Sequence, residues 1–498
     1  MNRNKRLHPL TMLYQLWSSL TTLLVIGLYL FIIKRSADSM LIYFGRISFI
    51  IICGLTILFI VWKWLTYSYR VDNHAFYLTK GVLSKSQQSI PFSNIQQTSR
   101  YTSLFHKLFH VTSIKFETGI NSDTDFIRFD VITHKEAAQL EKLIKQSDAP
   151  TNIKIQDNNK VLDKTESLEK PKKNQHIHFK STSKDIFRAS YSSLSFIIVI
   201  PLIFSIYTKL VDILDLNVNL DIVLDIVFQS RGMMLLSIFI LLCICSIFGW
   251  LRTIIKYGKY QISSDRHYIY IKRGIVEEVT FSIAKERVQS IEIKQSPLQR
   301  LLKQAKVNLI SSGTNRHEGN KQVNTLYPFL SEEKVDTLLA EIMSNFSISK
   351  TMNKLPKTSC WLQIFKMSWI GIISSLVLFF IKPNFYGINW WMMSIILFIL
   401  IITRGTLNYH HSRYTINKEF IQIKKGALFT TTQISMRSKI MEVTVKENIF
   451  QQKLGLSSVQ TVIQTKPVQI TCLHDVPISF TNKFLQWYSN RYDDVKIE

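Results

Sequence analysis

KYQISSDRHYIYIKRGIV, residues 259–276, returns twice in altered form: as YRVDNHAFYLTKGVL from Tyr69 and as RYTINKEFIQIKKGAL from Arg413. The three stretches align on Gly81, Gly274 and Gly426, at offsets of 193 and 152 residues. The same offsets relate Ile95 to Val288 and Ile440, Phe105 to Leu298 and Phe450, Phe109 to Leu302 and Leu454, and Ile114 to Val307 and Val459. Similarity that keeps register over so many positions marks an internal repeat, and such repeats set the architecture before any motif does. Within each copy apolar residues alternate with polar ones, as at Phe76 and Leu78, Ile269 and Ile271, or Ile421 and Ile423. That is the period of a half-buried strand. The Lys or Arg before each Gly and the Gly itself then supply a hairpin turn, because Gly adopts positive φ without penalty. A further strand, a short helical segment (SLFHKLFH, PLQRLLKQ, IFQQKLGL) and another alternating strand follow. Closing helices are expected after Thr133, where Thr133 and Glu136 form a capping signature, over Leu330 to Ile342, and over Phe480 to Tyr488.

Each copy is preceded by apolar runs. Six are long enough to be read as membrane spans: approximately 13–33, 43–62, 189–208, 233–251, 367–381 and 387–403. They pair into three hairpins. Arg46 and Lys366 shorten the uncharged part of the second and fifth, where long side chains reach the interface by snorkelling. Trp62, Trp64, Trp250, Trp390 and Trp391 stand near span ends, as interfacial anchors do. Arg3, Lys5 and Arg6 precede the first span, and strongly basic segments follow the second, fourth and sixth. The positive-inside rule therefore sets the amino terminus and every large polar segment in the cytoplasm. The connection between spans three and four, VDILDLNVNLDIVLDIV, carries Asp212, Asp215, Asp221 and Asp225 and reads as an external helical loop.

The order of transmembrane hairpin, strand ending in Gly plus an aliphatic residue, then [IV]-Q and P-L-x-x-L resembles the bacterial pleckstrin-homology-like (PH-like) membrane family, the YdbS and YdbT type with bPH2 domains. Val288-Gln289, Pro297-Leu298 and Leu301 carry the match in the second copy, and Pro91, Ile95-Gln96 and Phe105 in the first. The third departs, with Ile440-Met441 and Ile449-Phe450. The resemblance covers nearly the whole chain. It implies a multi-span α-helical membrane protein, with about six transmembrane helices in three hairpins and three cytoplasmic PH-like β-sandwich or barrel domains, each capped by a C-terminal helix. The expected organisation is hairpin 1 over 1–66, domain 1 over 67–149, a flexible basic linker over 150–185, hairpin 2 over 186–256, domain 2 over 257–347, hairpin 3 over 348–409 and domain 3 over 410–498.

Composition narrows the function. The 498 residues carry 61 Lys and Arg against 35 Asp and Glu, a net charge of +26, while 46% are apolar. The five cysteines form no CxxC pair, which argues against a disulfide framework or a structural zinc site. No phosphate-binding glycine loop, nucleophile elbow or zinc-protease motif occurs, so neither an enzyme nor a cofactor is expected. His176 with His178, and His410 with His411, lack companions at metal-ligand spacing. His106 and His110 share a helix face, yet the second copy has Gln299 and Lys303 there, so packing is their expected use. The spans lack central ionisable residues, which disfavours a pump. A transporter or exporter component, with the six helices as its pathway and Pro201 as a kink, is the alternative. Lys180, Lys184, Arg188, Arg252, Lys256, Lys259, Lys350, Lys354 and Lys357 cluster where polar segments meet the spans, and are candidate contacts to anionic lipid. No nucleic-acid-binding signature accompanies the charge. The leading expectation is a non-enzymatic protein presenting three modules at the membrane for lipid or protein binding, as a scaffold in envelope maintenance or antimicrobial tolerance. Sheet edges and grooves suit peptide addition. The partners expected are the bilayer, a protein such as a smaller membrane protein of the same family, or further copies in an oligomer.

Overall fold

The computed structural model describes residues 5–33, 40–72, 74–81, 85–118, 126–147, 175–192, 201, 205, 231–311, 325–343, 346, 348–383, 389–465 and 468–493. Five helices in it are long and apolar enough to cross a membrane: Leu10–Ile32, Ile42–Thr66, Gly232–Tyr257, Lys357–Ile381 and Trp390–His411. The expected third span at 189–208 and the acidic segment 212–225 fall almost wholly outside the described residues.

In chain order, β1 (Lys5–Arg6), α1 (Leu10–Leu28) and α2 (Met40–Thr66) lead into the first module. It comprises β2 (Ser68–Val71), β3 (Ala75–Lys80), β4 (Ser86–Pro91), β5 (Ile95–Thr102), α3 (Leu104–Leu108), β6 (Val111–Thr118), β7 (Phe126–Thr133) and α4 (His134–Ser147). After it come β8 (His176–Lys180), α5 (Ser183–Ser192) and α6 (Arg231–Tyr257). The second module has β9 (Gln261–Ser264), β10 (Tyr268–Arg273), β11 (Glu278–Ala284), β12 (Val288–Gln295), α7 (Pro297–Leu301), β13 (Gln304–Ser311), β14 (Thr325–Ser331) and α8 (Glu332–Ile342). The last part contains β15 (Asn353–Lys354), α9 (Lys357–Ile381), α10 (Trp390–His411), β16 (Arg413–Ile416), β17 (Phe420–Lys425), β18 (Thr430–Met436), β19 (Ile440–Lys446), α11 (Ile449–Lys453), β20 (Leu456–Ile463), β21 (Gln469–Pro477) and α12 (Ile478–Ser489).

These elements pack as two compact units, Met1–Gln175 with Lys272–Ile283, and His176–Ile271 with Ala284–Glu498. In the first, β1 to β4 form an antiparallel sheet in sequence order, and β5, β6 and β7 form another to which β11 adds. Phe76 is the hub of its core, with ring centroids 5.0 Å from Phe92 and 5.3 Å from Phe116. Ala137, Leu140 and Ile144 of α4 complete the same cluster. In the second unit a seven-stranded sheet runs β14-β13-β12-β18-β17-β16-β15, and β19, β20 and β21 form a separate three-stranded sheet. Tyr414, Ile421, Ile423, Val459, Leu473, Phe480 and Phe484 fill the core of the third module.

The repeat is visible at single-residue level. Ser103, Ser296 and Asn448 each cap a short helix, and the third helical residue of each (His106, Gln299, Gln451) completes a reciprocal capping box. The helices α3, α7 and α11 then end on a positive φ at His110, Lys303 and Gly455 (54°, 51° and 67°). The turn glycines Gly81, Gly274 and Gly426 have φ of 127°, 94° and 120°, values open to glycine alone.

Two sequence boundaries shift. The linker expected to reach residue 185 ends earlier: His176–Lys180 pairs antiparallel with β9, and α5 begins at Ser183. Within His-Ile-His-Phe-Lys the anchor is Phe179, which is buried with its ring centroid 4.7 Å from that of Tyr327, while Ile177 and Lys180 are exposed and the register slips between Ile177 and Phe179. Likewise β15, inside the segment assigned to hairpin 3, joins β16, and β1 joins β2. The second shift concerns the fifth span. Its helix starts at Lys357, ten residues before the apolar run at 367, and so carries Lys366 within it.

The third helical residue of the short helices also gives a prediction. The buried His106 ring donates from Nε2 to the Asp130 carbonyl oxygen (2.8 Å) and accepts at Nδ1 from Ser103. Burial holds its pKa below the ordinary histidine value, against the opposing pull of Asp130, so the folded ring is neutral. The unfolded chain takes up a proton at this position below about pH 6.5, and the folded state therefore loses stability as pH falls through that region. His106→Gln, which places at this site the residue used in the other two copies, is expected to flatten the pH dependence. His134, lowered mainly by burial as well, keeps its own share. His106→Ala should cost about 1–3 kcal/mol at neutral pH through loss of the buried bond. Hydrogen exchange of β6 and β7 amides at pH 7.5 and 5.5 measures both.

Candidate functional site

α9 and α10 lie close because small residues face the partner helix: Gly371 meets Phe398 and Ile401, Gly405 meets Ile364, and Ser375 donates to Ser394 (2.9 Å). Toward the module, Asn408 donates to Gln363 (2.9 Å). This pair also lines a mostly apolar cavity of about 780 Å³. Its walls are Lys366 and Met367 of α9, Leu400 and Arg404 of α10, the turn from Gly426 to Phe429, and His474 and Asp475 of β21. A smaller recess of about 260 Å³ shares several of these residues and adds Lys425 and Cys472.

The electrostatics are uneven. Asp475 is 1% exposed, and its Oδ1 accepts from Lys366 Nζ and from Gln451 Nε2, both at 2.7 Å. Its Oδ2 is buried without a hydrogen-bond partner among the described residues. The Asp475 backbone carbonyl accepts from Ser359 of α9, so the helix and the third module are fastened at two points. Its position follows from a β-bulge between Ser457 and Val459, with Asp475 at φ 61°. Arg404, by contrast, makes no ion pair or hydrogen bond among the described residues, although it sits in a helix of membrane-spanning character. Burial lowers the pKa of Lys425 and of His474, and Lys366 is engaged by Asp475, so Arg404 is the cation that the cavity offers most readily. Leu428 and Phe429, 57% and 69% exposed, form an apolar lip on the tight turn that Gly426 permits. An exposed cation on the helix that walls an apolar pocket suits an anionic headgroup whose hydrocarbon lies along the lip.

All nine cations singled out from the sequence are exposed. Lys180 and Lys354 end strands, Lys184 and Arg188 lie on α5, Arg252 and Lys256 on α6, Lys259 follows it, Lys350 precedes β15, and Lys357 opens α9. None lines the cavity. The sequence flagged Lys366 only as a span boundary and left Arg404 just outside the sixth run; Asp475 and Gln363 gave no signal, since a bulge and a helix contact create their roles. One histidine of each pair is held by side-chain hydrogen bonds within the fold. His178 bonds Glu341 (2.9 Å) and Ser264 (2.8 Å), and His411 accepts from Arg300 (2.8 Å) while donating to the Ala427 carbonyl (2.9 Å). No group of three or more His, Cys, Asp or Glu poised for a metal occurs among the described residues.

Paired antiparallel sheets with a closing helix, repeated after apolar helices, define a membrane protein built from PH-like modules. The chain belongs to the family described as the bacterial PH domain, whose model matches residues 22–148, 210–346 and 369–492. It is similar to the UPF0699 transmembrane protein YdbT of Bacillus subtilis (strain 168), 22% identical over 493 residues that cover 98% of this chain and 99% of that protein. No solved structure matches it.

Proposed function

We propose that this chain is a non-enzymatic protein of the cell membrane that holds its three PH-like modules at the cytoplasmic face and binds anionic phospholipid there, as a scaffold in envelope maintenance or tolerance of membrane-active agents. The observation that carries this reading is the cavity under α9 and α10, with an Arg404 that has no ion-pair partner among the described residues, an apolar lip at Leu428 and Phe429, and a module fastened to the membrane helix through Asp475. The lipid phosphate pairs with Arg404 and the acyl chains lie against the lip. The nine exposed cations add a less specific attraction of about 1 kcal/mol each near an anionic leaflet.

Purified full-length protein is expected to retain phosphatidylglycerol in native mass spectra after extraction from mixed micelles. Arg404→Gln should weaken that retention about tenfold, the worth of one charge-assisted contact. Arg252→Gln, which alters an exposed cation away from the cavity, should leave it unchanged in detergent, where no anionic leaflet remains for that residue to meet. Equal retention by the Arg404→Gln protein would refute the assignment.

A further inference from the structure

Two strand pairings within the chain are one joint used twice. β5 pairs with β11 from Glu278↔Thr102 to Ile283↔Gln97, and β12 pairs with β18 from Thr430↔Gln295 to Ser435↔Ser290. Every residue of the second set stands at the repeat offset from its counterpart in the first. In both, a cation from the short helix reaches the next copy's hairpin. Lys107 donates to the Ile275 carbonyl (2.7 Å) and to Glu278 (2.9 Å), and Arg300 donates to the Leu428 carbonyl (2.9 Å) and to Thr430 (3.4 Å).

The repeat leaves one half of this joint at each end. β19 is the third copy's counterpart of β5 and β12, and it is the edge of its three-stranded sheet among the described residues. β4 is the first copy's counterpart of β11 and β18, and it is likewise an edge. Burial records the difference. Ser290, Ile291 and Glu292 of β12 are buried, whereas Met441 and Glu442 are exposed and Val443 and Thr444 half-buried on β19. Gln452, at the position of Lys107 and Arg300, is exposed, as are Ile449 and Phe450 beside it. An uncovered edge of this kind is a template for another strand.

We propose that β19 pairs with β4 of a second copy of this chain in the register of the two internal joints. That register sets Thr444 opposite Gln88 and Glu447 opposite Lys85, an opposite-charge pair whose members form no ion pair among the described residues. The contact is heterologous, so the assembly closes as a ring or extends head to tail.

The test uses full-length protein in detergent with the five natural cysteines replaced by serine. Chains carrying Thr444→Cys are mixed with chains carrying Gln88→Cys and oxidised. A disulfide-linked dimer is expected, with little from the out-of-register pair Thr444→Cys and Ser86→Cys. Glu447→Lys should weaken association roughly fivefold, as a cross-strand charge reversal does, and Lys85→Glu in the second chain should restore it. Both changes are at exposed positions and spare the fold. Equal cross-linking in and out of register, a monomer at every concentration, or a different protein protecting β19 while this chain stays monomeric would each overturn the proposal.

Discussion

Gly426→Ala is expected to open the β17–β18 hairpin and destabilise the third module by more than about 3 kcal/mol, among the larger effects of any single substitution. The φ of 120° at Gly426 lies outside the left-handed well that an L-residue tolerates. An added Cβ would also overlap the Phe429 carbonyl oxygen and stand 3.0 Å from its carbonyl carbon, which are backbone atoms with no rotamer to yield. Relief requires moving β18, which pairs with β17 on one side and β12 on the other, so the damage spreads along the seven-stranded sheet. The Leu428–Phe429 lip moves with it, and phospholipid retention should fall together with stability. Gly455 is the internal contrast. It too has positive φ, 67°, but nothing lies within 4 Å of its added Cβ, and the other copies place His110 and Lys303 there. Gly455→Lys should therefore cost no more than about 1 kcal/mol. Hydrogen exchange across β17 and β18 separates the outcomes; slow exchange retained in Gly426→Ala would refute the argument.

The contrast also shows which features a sequence carries openly. The repeat, its turn glycines and its alternating strands are local patterns, and offsets of 193 and 152 residues expose them directly. Strand exchange between copies is not local. Nothing in Glu278–Ala284 distinguishes a strand that pairs with β5 from one that pairs only with its own hairpin partner, because both need the same alternation. The cations illustrate the same limit. Positive charge beside an apolar run is visible as composition, and it led to nine exposed residues. Lys366 reads only as the boundary of the fifth run and Arg404 falls just past the sixth, since a hydropathy window ends where a charge begins, whereas the helices continue to His411 and back to Lys357. What permits a lysine inside α9 is a carboxylate 109 residues away in sequence.

That dependence sets the second large effect. Lys366→Met should destabilise the junction of α9 with the third module by about 3 kcal/mol, near the lower end for breaking a buried pair because the lysine side chain is 35% exposed. The substitution keeps the bulk and apolar stem of the side chain but leaves the Asp475 carboxylate buried with Gln451 as its side-chain donor. Asp475→Asn alone should be milder. The amide is neutral, its oxygen still accepts from Gln451, and the freed ammonium retains access to solvent. The double variant Lys366→Met with Asp475→Asn should recover most of the loss, because a neutral pair of similar shape avoids the desolvation that the charges endure. Unfolding in detergent of the four proteins forms a thermodynamic cycle, with a coupling of at least about 1.5 kcal/mol expected between the two sites. Strict additivity would mean that Asp475 finds another partner when Lys366 is gone, and that the Ser359 bond to its carbonyl, unaffected by either substitution, fastens helix to module by itself.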